Sequence, residues 1–175
     1  MRKTIAIFTA TLILITFKTN AQTAFKQYKA GKIFEVSLPE YMSKTAGINE
    51  SASIQYKSVL KDVYGFIIFD TKEDLSLAEL NFSSLNEFYE YVLGDFLKDE
   101  EKRKVSKPIY QTKEDLKFLE IEASYYDKES EQEIYYLIGV VETKTAYYQV
   151  LSWVGLENKD KFKSDFQKIL YSVKD

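Results

Sequence analysis

Neither cysteine nor histidine occurs anywhere in the 175 residues. A Ser-His-Asp triad, a cysteine nucleophile, haem ligation by either side chain and an ordinary zinc site are therefore excluded. No disulfide can staple the fold, so stability has to come from a buried core, which an apolar share of 45% is able to supply. Proline is almost as scarce. Pro39 and Pro108 each sit where a strand can end or lie at an edge, and no repeat, low-complexity linker or Pro-rich boundary divides the chain. Carboxylate acid-base chemistry and oxygen-ligated calcium or magnesium remain open in principle.

Long apolar runs are missing too, with one exception at the start. Arg2 and Lys3 precede the apolar block Ile5 to Phe17, and Thr19 and Ala21 are small residues at its exit. Such a block would span roughly 20 Å as a helix, short of the ~30 Å core of a bilayer. A basic start, a short apolar block and a small-residue exit together predict a cleavable signal peptide over residues 1–21, cut between Ala21 and Gln22. No cysteine follows the block, so a lipid-anchored precursor is not expected. The mature chain, 22–175, is then an exported protein of the periplasm or the cell exterior, with no membrane span left after removal of the signal.

That mature segment would carry 21 basic against 27 acidic residues, a net charge of −6. No clustered excess of Lys and Arg is present to release counterions from a phosphate backbone, so nucleic acid is not an expected partner. The 154 residues match one domain.

Residues 32–38 alternate, with Phe34, Val36 and Leu38 on one side and Glu35 and Ser37 on the other, and predict a half-buried strand closed by Pro39. Residues 43–51 read as a loop before strands at 52–57 and 63–70. Ser84 and Glu87 form a capping box, and Leu85, Phe88, Val92, Leu93, Phe96 and Leu97 recur behind them at helical spacing. The charge run 98–104 reads as the solvated end of that helix and a turn. Strands return at about 104–112, 118–126, 133–142 and 145–154, with polar turns at 127–131 and 143–144 short enough for antiparallel hairpins.

The segments 134–141 and 147–154 are apolar on both faces, so both sides of their sheet have to be covered. Phe162, Phe166, Ile169, Leu170 and Val173 fall on one stripe of a C-terminal helix that supplies one cover, and the Ser84 helix supplies the other. The reading is an α+β fold: a predominantly antiparallel sheet of six or seven strands sandwiched between helices, with the last strands central.

The strand-to-proline opening FEVSLPEYM, the helix SSLNEFYEYVLGDFL and the ending YYQVLSWVGLENKDKFKSDFQKILYSV resemble the PsbP-like family over about residues 25–174. The resemblance implies an antiparallel sheet between helices. The family's best-known members are extrinsic subunits of the photosynthetic oxygen-evolving complex, and many bacterial relatives are exported proteins without an assigned activity. An aromatic often follows the family's strand-closing proline, a place Tyr41 can take. No ligand residue of the family carries over.

Tyrosine is abundant, with fourteen residues and adjacent pairs at 125–126, 135–136 and 147–148. Neighbours on a strand point to opposite faces, so each pair places one ring under each layer, and core packing is the plain reading. The functional reading is a rim formed by Tyr126, Tyr136, Tyr148 and Trp153, able to hold a glycan, a peptide or a protein partner. Asp70, Glu73 and Asp74 lack the glycine and distal glutamate of a calcium loop and read as a solvated turn. Glu120 and Glu122 lie two apart on one strand, roughly 7 Å by strand rise, which loosely suits a two-carboxylate glycosidase.

These residues support an exported, non-catalytic binding or accessory protein of the cell envelope, without metal, cofactor or catalytic residue. The rivals are a small carboxylate-dependent hydrolase built on Glu120 and Glu122, and an inhibitor or stress protein that presents loop 43–51 to another enzyme.

Overall fold

The computed structural model describes residues 23–30 and 34–175. The expected signal segment and its cut between Ala21 and Gln22 lie outside the described residues. No helix among those described is long and apolar enough to cross a membrane.

The main sheet is antiparallel throughout and runs in the order β3 (Ser43–Thr45), β4 (Ile54–Ser58), β5 (Val63–Thr71), β10 (Ala146–Gly155), β9 (Gln132–Glu142), β8 (Leu116–Asp127), β6 (Glu101–Val105). β7 (Ile109–Lys113) pairs with β8 as well. It has eight strands rather than six or seven: the strand expected at 104–112 is broken in two, and β3, in the expected loop 43–51, joins the sheet while the strand expected at 32–38 leaves it. β6 lies opposite one end of β8 and β7 opposite the other. Between them the chain steps out at Ser106, which still bonds Glu122 through its backbone N–H (2.8 Å) and accepts the Glu122 N–H on its hydroxyl (2.9 Å). Pro108, without an N–H to contribute, is tolerated at this break on the sheet edge.

The expected first strand exists as β2 (Phe34–Pro39), but outside the main sheet. It pairs with β1 (Phe25–Ala30), an unexpected strand whose sequence FKQYKA shows no apolar face, and bridges the C-terminal Lys174 through Glu35. The two form a separate hairpin. Helix α2 (Leu85–Leu93) begins as its capping box dictates, with the Ser84 hydroxyl accepting the Glu87 N–H and the Glu87 carboxylate accepting the Ser83 N–H. It stops at Leu93, four residues before the apolar spacing does, and Leu97 turns into the left-handed region. Phe96 and Leu97 still pack on the sheet from this turn. The charge run is turn over 98–100, as expected, and then continues as β6.

Strands β9 and β10 are central, and alternation divides their apolar side chains between two cores. Tyr135, Leu137, Val141, Tyr148, Val150 and Val154 face one side. Ile138, Val140, Tyr147 and Leu151 face the other, beneath Leu85, Phe88 and Leu93 of α2. The first side is closed by α3 (Lys159–Leu170), through Phe162, Phe166, Ile169 and Leu170, and by the β1–β2 hairpin, through Phe34, Val36 and Leu38. Gly139 lets the helix approach this closely, because a Cβ at that position would stand 2.1 Å from a methyl of Leu170.

Candidate functional site

Where β10 ends, four aromatic rings from four adjacent strands form a row on the α2 face. Register sets it up: Trp153 on β10 lies opposite Tyr64 on β5 and Tyr136 on β9. Its indole is 5.7 Å from the Tyr64 ring and 5.4 Å from the Tyr136 ring, near parallel to both, and Tyr125 on β8 extends the row 6.2 Å beyond Tyr136. Phe66 and Phe96 pack edge-on against Trp153 and Tyr136 at 5.9 and 5.3 Å. Such cross-strand ring pairs are worth about 0.5–1.5 kcal/mol each beyond their area. All four rings of the row remain partly exposed.

The row is uncharged. Burial, then neighbouring Tyr125, raises the Tyr136 hydroxyl above the usual tyrosine range, and burial followed by the Asp127 and Glu100 charges does the same for Tyr125. The Tyr64 hydroxyl is raised by the hydrogen bond it donates to Asp62 (2.9 Å). The row thus sets phenol hydroxyls and an indole N–H beside apolar ring surface, with the Tyr64 hydroxyl already given to Asp62.

The four residues expected at one rim do not share it. Tyr136 and Trp153 stand in the row. Tyr148 lies on the other face, fully buried against Phe34 and Phe69 at 5.0 and 5.2 Å, with its hydroxyl unpartnered among the described residues. Alternation also sends Tyr126 to that other face, where the Lys102 ammonium sits 4.5 Å from its ring. Sequence reasoning missed Tyr64, Phe66 and Tyr125. For Tyr125 the adjacent-pair signal was present and only strand parity would have selected the right member; for Tyr64 and Phe66 the signal is the β5–β10 register, which sequence does not carry.

Glu120 and Glu122 both point at α3 and are engaged by it. Glu120, 2% exposed, accepts from Gln167 Nε2 (2.9 Å) on one oxygen and from the Tyr171 hydroxyl (2.8 Å) on the other. Glu122 accepts from Lys163 (2.7 Å), Lys159 (2.8 Å) and the Tyr135 hydroxyl (3.0 Å). Partial burial alone would raise its pKa, but the hydrogen bonds from Lys159, Lys163 and Tyr135 and the charge of Lys159 outweigh it and hold the carboxyl at about 2. A third carboxylate, the buried Asp165 of α3, accepts from the hydroxyls of Thr23 and Tyr41, both at 3.0 Å. These groups fasten the helix to the sheet. An open groove of about 360 Å³ beside them is lined by Lys104, Ser106, Glu122, Tyr135 and Lys159, and its acid is already saturated by the two lysines of α3.

Of the acidic cluster, Asp70 lies near the end of β5, and Glu73 and Asp74 stand in the first turn of a short helix, α1 (Lys72–Leu77), rather than in a solvated turn: Thr71 caps it by accepting the Asp74 N–H at 2.9 Å. Among the described residues no three acidic side chains are grouped to hold a metal ion. Loop 43–51 contains β3 and is drawn back by Gln55, which accepts the N–H groups of Ile48 and Asn49 and donates to the Asn49 carbonyl.

No family model matches the chain, and no curated protein matches it in sequence. Solved structures match in fold. The solution structure of cyanobacterial PsbP (CyanoP) from Synechocystis sp. PCC 6803 is similar with a TM-score of 0.59 at 15% identity, covering 92% of this chain and 98% of that one. The crystal structure of LpqN, described as involved in cell envelope biogenesis of Mycobacterium tuberculosis, is similar with a TM-score of 0.59 at 9% identity, covering 87% and 90%. The fold is PsbP-like, as the sequence resemblance implies.

Proposed function

We propose that the protein is an exported, non-catalytic binding or accessory protein of the cell envelope, holding a glycan or peptide at the aromatic row. One observation carries this: four stacked rings, Tyr64, Trp153, Tyr136 and Tyr125, stay partly exposed in one continuous row across four strands. Rigid amphipathic rings bind such ligands with little loss of side-chain entropy. The basic start, short apolar block and small-residue exit of residues 1–21 support export. Likeness in fold to a protein described as involved in envelope biogenesis supports the setting.

Trp153 is the chain's sole tryptophan, so its emission reports on the row alone. Residues 22–175 are titrated with peptidoglycan fragments and, separately, with unstructured peptides. A saturable change in emission, lost in Tyr136→Ser, is the expected result. No response to either class, or turnover of a glycan or ester that a single carboxylate substitution abolishes, would refute the reading. Export is tested by N-terminal sequencing of the protein from the native host: a chain beginning at Gln22 outside the cytoplasm is expected, and a cytoplasmic chain retaining residues 1–21 would count against it.

A further inference from the structure

The β4–β5 hairpin closes on a single 3-10 turn, Val59–Lys61, and this tip carries its apolar side chains in water. Leu60 is 99% exposed and Val59 71%. The turn is not a loose loop. Asp62 takes the left-handed conformation that ends it, its carboxylate accepts from Tyr64, and the Lys61 ammonium lies 4.0 Å over the ring of Tyr41, itself bonded to Asp165. The fold thus holds two large aliphatic side chains outward on a braced support.

Other exposed apolar groups have ordinary explanations. Val105, Ile109 and Tyr110 lie along the β6–β7 edge, where Lys104, Lys107, Pro108 and Lys113 guard against strand addition. Leu77 and Tyr91 are isolated on helices, as single surface apolar residues often are.

We infer that the Val59-Leu60 tip seats the protein on an anionic phospholipid bilayer. Two side chains cover far less than the roughly 800 Å² per partner of a stable protein interface, so neither a second copy nor another folded protein is a good match. A bilayer accepts a few inserted aliphatic groups at its headgroup boundary. Lys57 and Lys61 flank the tip and suit phosphate headgroups, and the acid nearest it, Asp62, is occupied by Tyr64. Behind the tip, Tyr64 and Trp153 stand where amphipathic rings favour the water–lipid boundary. This seating does not require the row to hold a ligand.

Co-sedimentation with vesicles of phosphatidylethanolamine and phosphatidylglycerol tests it, with pure phosphatidylcholine vesicles as the uncharged arm. Residues 22–175 should bind the anionic vesicles, and Leu60→Asp should weaken binding about tenfold or more while leaving the melting temperature and the Trp153 ligand titration unchanged. Leu77→Asp, a comparably exposed change elsewhere, should bind like the native protein. Lys57→Glu combined with Lys61→Glu should weaken binding to anionic vesicles and bring it to the level seen with phosphatidylcholine. No vesicle binding by the native protein, undiminished binding by Leu60→Asp, or equal loss in Leu77→Asp would overturn the inference. So would sedimentation in which Leu60→Asp abolishes a dimer, which would assign the tip to a second copy.

Discussion

The two faces of the sheet are roofed by different chemistry. On the α3 face the helix is fastened by carboxylates: Glu120 and Glu122 reach up from β8 to Gln167, Tyr171, Lys159 and Lys163, and Asp165 reaches from the helix to Tyr41. On the α2 face the contacts are rings and aliphatics, such as Phe88 stacked on Tyr147 at 4.3 Å, while Glu142 is held at the margin by Lys72 and Lys117. Directional bonds between buried groups fix one helix position, because any displacement leaves a desolvated carboxylate without partners. Ring packing has no such penalty, and a face built from it can leave some rings uncovered. The closed face makes the fold and the open one offers a site.

The contrast yields graded predictions. Phe166→Ala, at a fully buried ring of α3, should cost about 3–5 kcal/mol in denaturant unfolding. A loss no larger than that of a surface substitution would mean that the helix is not the principal roof. Next in size, Glu120→Ala leaves the part-buried Tyr171 and Gln167 donors without their acceptor and should cost about 2 kcal/mol, whereas Glu142→Ala at the margin should cost under about 1. Equal effects would erase the distinction between the two faces.

Glu122 gives the contrast a pH signature. Its folded pKa of about 2 lies below the unfolded carboxyl value, so its stabilisation is complete above about pH 4.5 and is lost as pH falls toward 2. Solvent screening at this partly exposed site reduces the effect to about 1 kcal/mol. Glu122→Gln should be less stable than the native protein by that amount at pH 7 and should converge with it in acid; parallel melting curves across the range would contradict the assignment. The smallest effect belongs to the row. Tyr64→Ala should lose about 0.5–1 kcal/mol while shifting Trp153 emission, and an unchanged emission would show that the rings do not form one unit.

Much of this architecture is legible in the residues. The doubly apolar segments around Ile138 and Val150 require cover on both faces, and the stripe from Phe162 to Leu170 shows which helix gives it. The Ser84–Glu87 box marks the start of α2. The helix end is not legible, because Phe96 and Leu97 keep the helical spacing while packing from a turn. The break at Ser106 and the pairing of β1 with β2 are equally hidden, since backbone bonding to a distant strand determines both.

The candidate site divides in the same way. Sequence singled out Tyr136 and Trp153 by residue type, yet it could not join them to Tyr64 and Tyr125 or separate them from Tyr126 and Tyr148. Periodicity is a local property that specifies which residues share a face of their own strand. Register between strands far apart in the chain specifies which rings touch, and it is set only when the sheet assembles. By itself, then, the sequence determined the layers, the missing chemistries and the apolar cores of this protein. The tertiary structure alone decided that Glu120 and Glu122, two apart on a polar strand face, would fasten a helix some 40 to 50 residues downstream, because their partners Lys159, Lys163, Gln167 and Tyr171 come within reach only after α3 has packed against Gly139.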